Sequence, residues 1–233
     1  MLLAARLMLL TAFACSSARD ADDDAFALAR EAMVAQQIAA RGIRDPATLA
    51  ALRKVKRHLF VPDALRVQAY DDYPIPIGHG QTISQPYIVA FMTEAAGLKG
   101  GETVLEIGTG SGYQAAVLGE IAARVHTIEI VAPLAESSAA LLKRLGYANV
   151  SVRAGDGYLG WPEAAPFDAI LVTAAAPRIP EPLKRQLRDG GRLVLPVGDD
   201  WQELVVVTRR GERFEERRVL AVRFVPMTGK VRQ

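Results

Sequence analysis

The sequence predicts an α/β chain: a Rossmann-like, doubly wound, mostly parallel sheet with helices on both faces, an N-terminal helical extension and a C-terminal β-hairpin. Three observations carry that prediction. From Val104 onward, short apolar runs alternate with helical runs, the pattern of a parallel sheet wrapped by helices. The first such run, Val104-Leu105-Glu106-Ile107, ends in the turn Gly108-Thr109-Gly110-Ser111-Gly112, and a helical stretch follows. Strand, glycine turn and helix in that order build the nucleotide crevice of open sheets. The chain then closes on two β-rich segments, 202–209 and 214–225, joined through Arg210-Gly211-Glu212, a hairpin signature.

Residues 25–41 read as an amphipathic helix stopped by Gly42. Asp45-Pro46 opens a second helix over 47–54, and Pro62 marks a third, short one reaching Tyr70. Pro74, Pro76, Gly78 and Gly80 preclude regular helix over 71–85 and leave an ordered loop or a short hairpin. Pro86 suits the first position of a helix, so 86–96 is predicted helical. The βα pattern then predicts strand 104–108, helix 113–123, strand 125–130, helix 133–145 and strand 150–153. Strand 169–173 follows, then helix 180–188 ending at Gly190-Gly191, and strand 192–196. No internal repeat interrupts this order.

At 233 residues the chain can bury one good core, or one core plus a small extension. A net charge of +2, scattered basic residues and no basic-plus-aromatic pattern argue against a nucleic-acid platform or an anionic-membrane surface. The pairs Arg209-Arg210 and Arg217-Arg218 read as faces of the hairpin. With Cys15 the single cysteine, neither an intrachain disulfide nor a thiolate metal site is possible. His58, His79 and His126 are too dispersed for a metal cluster, and His126, in an apolar strand, reads as a satisfied core or edge histidine. Met1 to Ala14 has the make-up of a signal peptide: one arginine, a short apolar core and small residues near Cys15. It resembles a lipoprotein box except at Ala12, where leucine is usual. The competing reading is a start placed too early, with Met33 opening the protein. Asp20, Asp22, Asp23 and Asp24 form an acidic linker, and no other stretch is long enough to span a membrane.

The glycine turn suits a phosphate ligand poorly. The dinucleotide fingerprint puts its third glycine where this chain has Tyr113, and no P-loop pattern occurs. Glu106, two residues before Gly108, would repel a pyrophosphate and suit a positively charged ligand. Glu129 ends the next strand, where an acid in such folds takes the ribose hydroxyls. Asp156 lies in Ala-Gly-Asp-Gly after the third strand. Each acid alone has a plainer reading: a helix-dipole partner for Glu106, a solvated strand end for Glu129, a turn residue for Asp156. Acids after three successive strands, without a basic clamp, describe a cationic, phosphate-free nucleoside. S-adenosyl-L-methionine has that chemistry. Just upstream, Thr82-Ile83-Ser84-Gln85-Pro86 offers hydroxyls with two uses: lining a transferred methyl group, or capping the helix that opens at Pro86. Spacing alone favours the cap.

The run from Pro76 to Pro86, Pro-Ile-Gly-His-Gly-Gln-Thr-Ile-Ser-Gln-Pro, resembles the signature of the protein-L-isoaspartate O-methyltransferase family. Val104 to Gln114, Gly155-Asp156-Gly157, Phe167 to Pro177, Gly190 to Gly198 and Val222-Arg223-Phe224-Val225-Pro226 are similar to that family too. The likeness therefore reaches from near residue 30 to near residue 228. His79 departs from the pattern, where another polar residue is usual. The resemblance implies methyl transfer from S-adenosyl-L-methionine to the free α-carboxylate of L-isoaspartyl residues in damaged proteins and peptides. The ester then closes to a succinimide, and hydrolysis partly restores aspartate. The resemblance places the active-site serine at Ser84. Cofactor contacts are expected from Thr82, Ile83, Glu106, Gly108, Gly110, Gly112, Glu129, Asp156 and Gly157. Arg223 is equally a contact to the substrate backbone or a surface charge.

The expected organisation is a leader and linker over 1–24 and a single domain over 25–233. Within it, 25–98 supplies helices and the active-site loop, 99–198 the cofactor-binding core and 199–233 the C-terminal β segment. A monomer without metal or nucleic acid is expected, cytoplasmic by the resemblance. A periplasmic or lipid-anchored protein is the alternative if the leader is real. Competing readings are a methyltransferase with another substrate, an exported non-catalytic relative, and a nicotinamide dehydrogenase, which Tyr113 and Glu106 disfavour.

Overall fold

The structure, a computed structural model, describes residues 25–233. The leader, the acidic linker and Cys15 lie outside the described residues. The first helical run, α1, is an α-helix over 25–32 that loosens into a π segment, Met33–Ile38, and tightens into a 3-10 turn, Ala39–Arg41, before Gly42. Asp45 caps α2 (Pro46–Lys54), its carboxylate accepting the Thr48 N–H at 2.8 Å. A 3-10 turn, Arg57–Phe60, follows α2, and a second one, Asp63–Gln68, takes the place of the short helix expected after Pro62. Segment 71–85 contains a small antiparallel hairpin, β1 (Ile75–Gly78) and β2 (Gln81–Ile83), which leads into α3 (Pro86–Ala96).

The main sheet holds β3 (Thr103–Ile107), β4 (Arg124–Glu129), β5 (Val150–Ala154), β6 (Phe167–Val172), β7 (Leu187–Val197), β8 (Gln202–Arg210) and β9 (Arg213–Val222). Their order across the sheet is β5-β4-β3-β6-β7-β8-β9. The strands from β5 to β7 run parallel, and β8 and β9 add on antiparallel. Helices α4 (Tyr113–Gly119), α5 (Ala132–Arg144) and α6 (Glu181–Arg185) make the crossovers.

Side chains of the central strands are buried on both faces, as a parallel sheet requires. Val104, Ala169, Leu171 and Val194 pack with Met92 and Ala96 of α3 and Leu118 of α4. Leu105, Ile170, Val172 and Leu193 pack with Leu183 of α6 and with Met227 and Val231 of the C-terminal tail. The second face is thus covered more by turns and tail than by helix.

Four elements differ from expectation in their bounds. Helix α4 stops at Gly119 rather than 123, because the Asn149 side-chain amide donates to the carbonyls of Gly119 (2.9 Å) and Ala122 (3.1 Å) and turns the chain. The helix expected over 180–188 survives only as the single turn of α6. Strand β7 begins at Leu187 and runs through Gly190-Gly191, with 188–191 bulging opposite Asp168. There a Cβ on Gly191 would sit 2.8 Å from the Arg188 carbonyl oxygen and 3.0 Å from that of Phe167. Finally, β9 ends at Val222, so 223–225 leave the sheet as a separate wall. Among the described residues no helix is long and apolar enough to cross a membrane.

Candidate active site

A crevice opens at the carboxyl ends of β3, β4 and β6, the usual ligand position of an open α/β sheet. Its lining includes Gly108, Gly110, Ile128, Glu129, Ile130, Gly157 and Thr173, with 225–228 as the outer wall. Gly108 turns out of β3 with φ +99°, and a Cβ there would lie 2.4 Å from the Thr173 hydroxyl oxygen. That hydroxyl donates to the Gly108 carbonyl at 2.6 Å, so the close approach permits the bond that ties the turn to β6. The Glu129 carboxylate, 5% exposed, accepts the Gly110 N–H at 2.7 Å and the Val131 N–H at 2.9 Å. Each oxygen retains acceptor capacity.

The other acids stand elsewhere. Glu106 is fully buried beneath the turn and does not reach the crevice lining. One of its oxygens accepts the Thr127 hydroxyl at 2.5 Å, and the other has no partner. Burial pushes this acid up to about 8, against the Thr127 hydrogen bond and with a smaller push from the Glu129 charge. Asp156 caps the turn Gly157–Leu159. Its two oxygens accept the Tyr158 N–H (2.9 Å) and the Lys230 N–H (2.8 Å). It therefore ties the C-terminal tail over the crevice, while Gly157 next to it lines the wall. Gly112 faces α5 rather than the ligand space: a Cβ there would meet Leu142 at 3.2 Å.

Two further hollows adjoin the crevice. Ile83, Ser84, Ser111, Tyr113 and Gln114 line one against the glycine turn. Pro74, Ser84, Gln85, Ile88 and 221–225 line the other, a wide, largely apolar hollow with Arg223 as its cation. Thr82 and Thr173 border all three spaces, and Ser84 borders the two hollows. The helix cap that spacing favoured is not made. Gln85 is the N-cap residue, and no side chain bonds the free N–H groups. Ser84 is half-buried with no hydrogen-bond partner for its hydroxyl among the described residues.

The wall bearing Arg223 is held by the Gln202 side chain and by backbone bonds to Ala175. The Gln202 amide accepts the Phe224 N–H at 2.6 Å and donates to the Phe224 carbonyl at 3.2 Å, copying a strand pair. The Val225 carbonyl accepts the Ala175 N–H at 2.8 Å, and the Ala175 carbonyl accepts the Met227 N–H at 2.7 Å.

Sequence reasoning missed Thr173, Gln202 and Met227. Only Thr173 carried a signal, as a polar residue closing a buried strand. His126 is not the satisfied histidine expected. Its Nδ1 is buried without a partner, and its ring meets Trp161 edge-on at 4.9 Å. Burial, and then the charges of Arg124 and Arg153, hold its pKa below the ordinary value. No metal-holding cluster occurs among the described residues.

The fit to a methyl donor can be tested on these residues. The crevice has one ionisable lining residue, Glu129, and no Lys, Arg or His, which suits a phosphate-free cation. Ile128, Ile130 and Met227 offer apolar surface to a base. A Rossmann-like sheet of this order with such a crevice defines a class I methyltransferase.

The family model for protein-L-isoaspartate(D-aspartate) O-methyltransferase (PCMT) matches residues 28–232. The chain is 56% identical over 210 residues to protein-L-isoaspartate O-methyltransferase 2 of Shewanella sediminis, covering 89% of this chain and 86% of that one. It is 61% identical over 201 residues to a protein-L-isoaspartate O-methyltransferase of Opitutus terrae, covering 85% and 86%. Among solved structures, a protein-L-isoaspartate O-methyltransferase superposes with TM-score 0.79 at 29% identity, over 87% of this chain and 67% of that one. A Plasmodium falciparum structure described as the same enzyme, in complex with S-adenosyl-L-homocysteine, superposes with TM-score 0.74 at 26% identity, over 85% and 98%. The chain belongs to the protein-L-isoaspartate O-methyltransferase family.

Proposed function

We propose that this chain is a protein-repair enzyme that methylates the free α-carboxylate of L-isoaspartyl residues, with Ser84 at the meeting point of donor and acceptor. The carrying observation is the junction itself: Thr82 and Thr173 border the donor crevice and both hollows, with a serine hydroxyl left free beside them. When bound, S-adenosyl-L-methionine supplies an electrophilic methyl group on a sulfonium sulfur.

The acceptor carboxylate, with a reference pKa of about 4, is already ionised at neutral pH. No general base is needed, which agrees with a site lacking histidine and cysteine. The chain's work is placement and desolvation, and positioning contributes about 7–11 kcal/mol in favourable cases. Glu129 takes the ribose hydroxyls with its open lone pairs. Gly108 and Gly110 let the donor lie against the main chain. Glu106 acts only indirectly, supporting the turn through Thr127, whose hydroxyl also pairs with that of Thr109. Asp156 acts by holding the tail, with its remaining acceptor capacity toward the base. Ser84 donates to the substrate carboxylate and forms no covalent intermediate. Arg223 receives the carbonyls or carboxylates of the substrate chain.

Damaged proteins and peptides are the partners. The enzyme works as a monomer in the cytoplasm, where its donor is made; fractionation with N-terminal sequencing distinguishes this from an exported form. The deciding assay supplies labelled S-adenosyl-L-methionine with matched isoaspartyl and aspartyl peptides. Label is expected in the isoaspartyl peptide only, and equal labelling of both would remove the repair assignment.

A further inference from the structure

Arg57, which opens the 3-10 turn Arg57–Phe60, is the bulkiest fully buried side chain among the described residues. Burying a cation is costly unless it is well bonded, and no carboxylate pairs with this one among the described residues. Its partners are two backbone carbonyls. Nε donates to Ala69 at 2.7 Å, and Nη2 donates to Ser84 at 2.8 Å. Those carbonyls bracket residues 70–83, the segment that carries the hairpin and presents Pro74, Gln81 and Thr82 to the ligand spaces. The guanidinium carbon also lies 4.8 Å from the centre of the Tyr113 ring, the first residue of α4 after the glycine turn. Burial lowers its pKa only to about 10, so it remains a cation at neutral pH.

We propose that Arg57 is a positioning residue for methyl transfer: its rigid fork fixes the spacing between the two ends of the active-site loop and thereby places the Ser84 hydroxyl. The proposal rests on the role given to Ser84 above. A planar fork with donors at set angles holds two acceptors at one separation, which a single ammonium cannot do. Arg57 thus acts through the backbone of Ser84, without touching substrate or donor.

Arg57→Lys keeps the charge and loses the fork. Turnover on an isoaspartyl peptide is expected to fall by about a hundredfold, the scale of a 1 Å misplacement. Affinity for S-adenosyl-L-homocysteine by calorimetry and the thermal midpoint should stay near wild type. In a Ser84→Ala background the same substitution should cost far less, because placement of an absent hydroxyl no longer matters; the double-mutant cycle reads that coupling. Should the lysine variant fold poorly, Arg57→Gln, which keeps a donor for one carbonyl, serves in the same cycle. Fully additive losses, or a parallel fall in donor affinity and turnover, overturn the proposal and leave Arg57 a packing residue. Wild-type turnover in Ser84→Ala alone overturns the serine's role and this proposal with it. Additivity with an impaired Ser84→Ala overturns the arginine's role only.

Discussion

The donor crevice and the wide hollow beside it share Thr82 and Thr173 as a border, yet they are built by different means. The crevice is made of strand ends: Gly108 and Gly110 follow β3, Glu129 ends β4 and Gly157 follows β5, which are neighbours in the sheet. Its bonds run from strand-end carboxylates to backbone, with Thr173 and Asp156 adding links to distant segments. The hollow lies between 74–88 and 221–225, segments far apart in sequence, each anchored in part by a side chain. Arg57 holds the loop and Gln202 holds the opposite wall. A parallel sheet brings its carboxyl ends together by topology alone, so a ligand site there needs little beyond glycines and one acid. A hollow between loops has no such scaffold and depends on individual tethers.

Gly108→Ala should break the crevice side most severely. A non-glycine residue at that φ costs about 1–3 kcal/mol, and losing the Thr173 bond costs roughly one more. Affinity for S-adenosyl-L-homocysteine is therefore expected to drop by about a hundredfold by calorimetry. Unchanged affinity would show that the turn is not the donor seat. Ser84→Ala probes the border. Removing one hydrogen bond to a charged acceptor, about 1.5–3 kcal/mol, should lower turnover on an isoaspartyl peptide by roughly 10–100-fold while donor affinity holds; a matching loss of affinity would merge the two regions into one.

Arg223→Ala should act on the hollow alone. An exposed charge of this kind predicts a rise in KM of about threefold, shrinking further in high salt. A KM insensitive to both the substitution and salt would return Arg223 to the status of a surface charge.

The smallest effect is one of pH. Burial raises the Glu106 acid to about 8, from an ordinary carboxylate value of about 4.3, so between those values the folded state binds the extra proton. Stability from this group is full below the lower value and is lost as pH rises towards the upper one. The thermal midpoint of the donor-free protein should accordingly decline from about pH 5 to about pH 8, and Glu106→Gln should flatten that slope. A slope that persists in the glutamine variant would assign it to another group. The hollow has no buried acid of this sort among its lining residues.

Helix α3 starts and ends where its proline and its glycine punctuation place it, and β3 through β6 lie within a few residues of their apolar runs. The position of Glu129 was equally legible, because a strand-end acid is a local feature. The misreadings are non-local. The Gly190-Gly191 pair reads as a helix stop, but it is a bulge forced by the nearness of β6. The end of α4 depends on Asn149, which arrives from the far side of α5. Glu106 and Asp156 occupy their expected places in the order of strands. Only packing reveals that the first lies beneath the turn and the second is already engaged by Lys230.

By itself the sequence determined the alternation of strand and helix, the glycine turn, the acid at Glu129 and a family signature around Ser84. These are legible because periodicity, backbone freedom and residue chemistry act over a few neighbouring positions. The tertiary structure alone decided which side chains face the ligand, why the Ser84 hydroxyl is free, and how Arg57, Gln202 and the tail close the walls. Those outcomes depend on which distant segments meet, and a buried cation or a bulge acquires its meaning only from the groups packed against it.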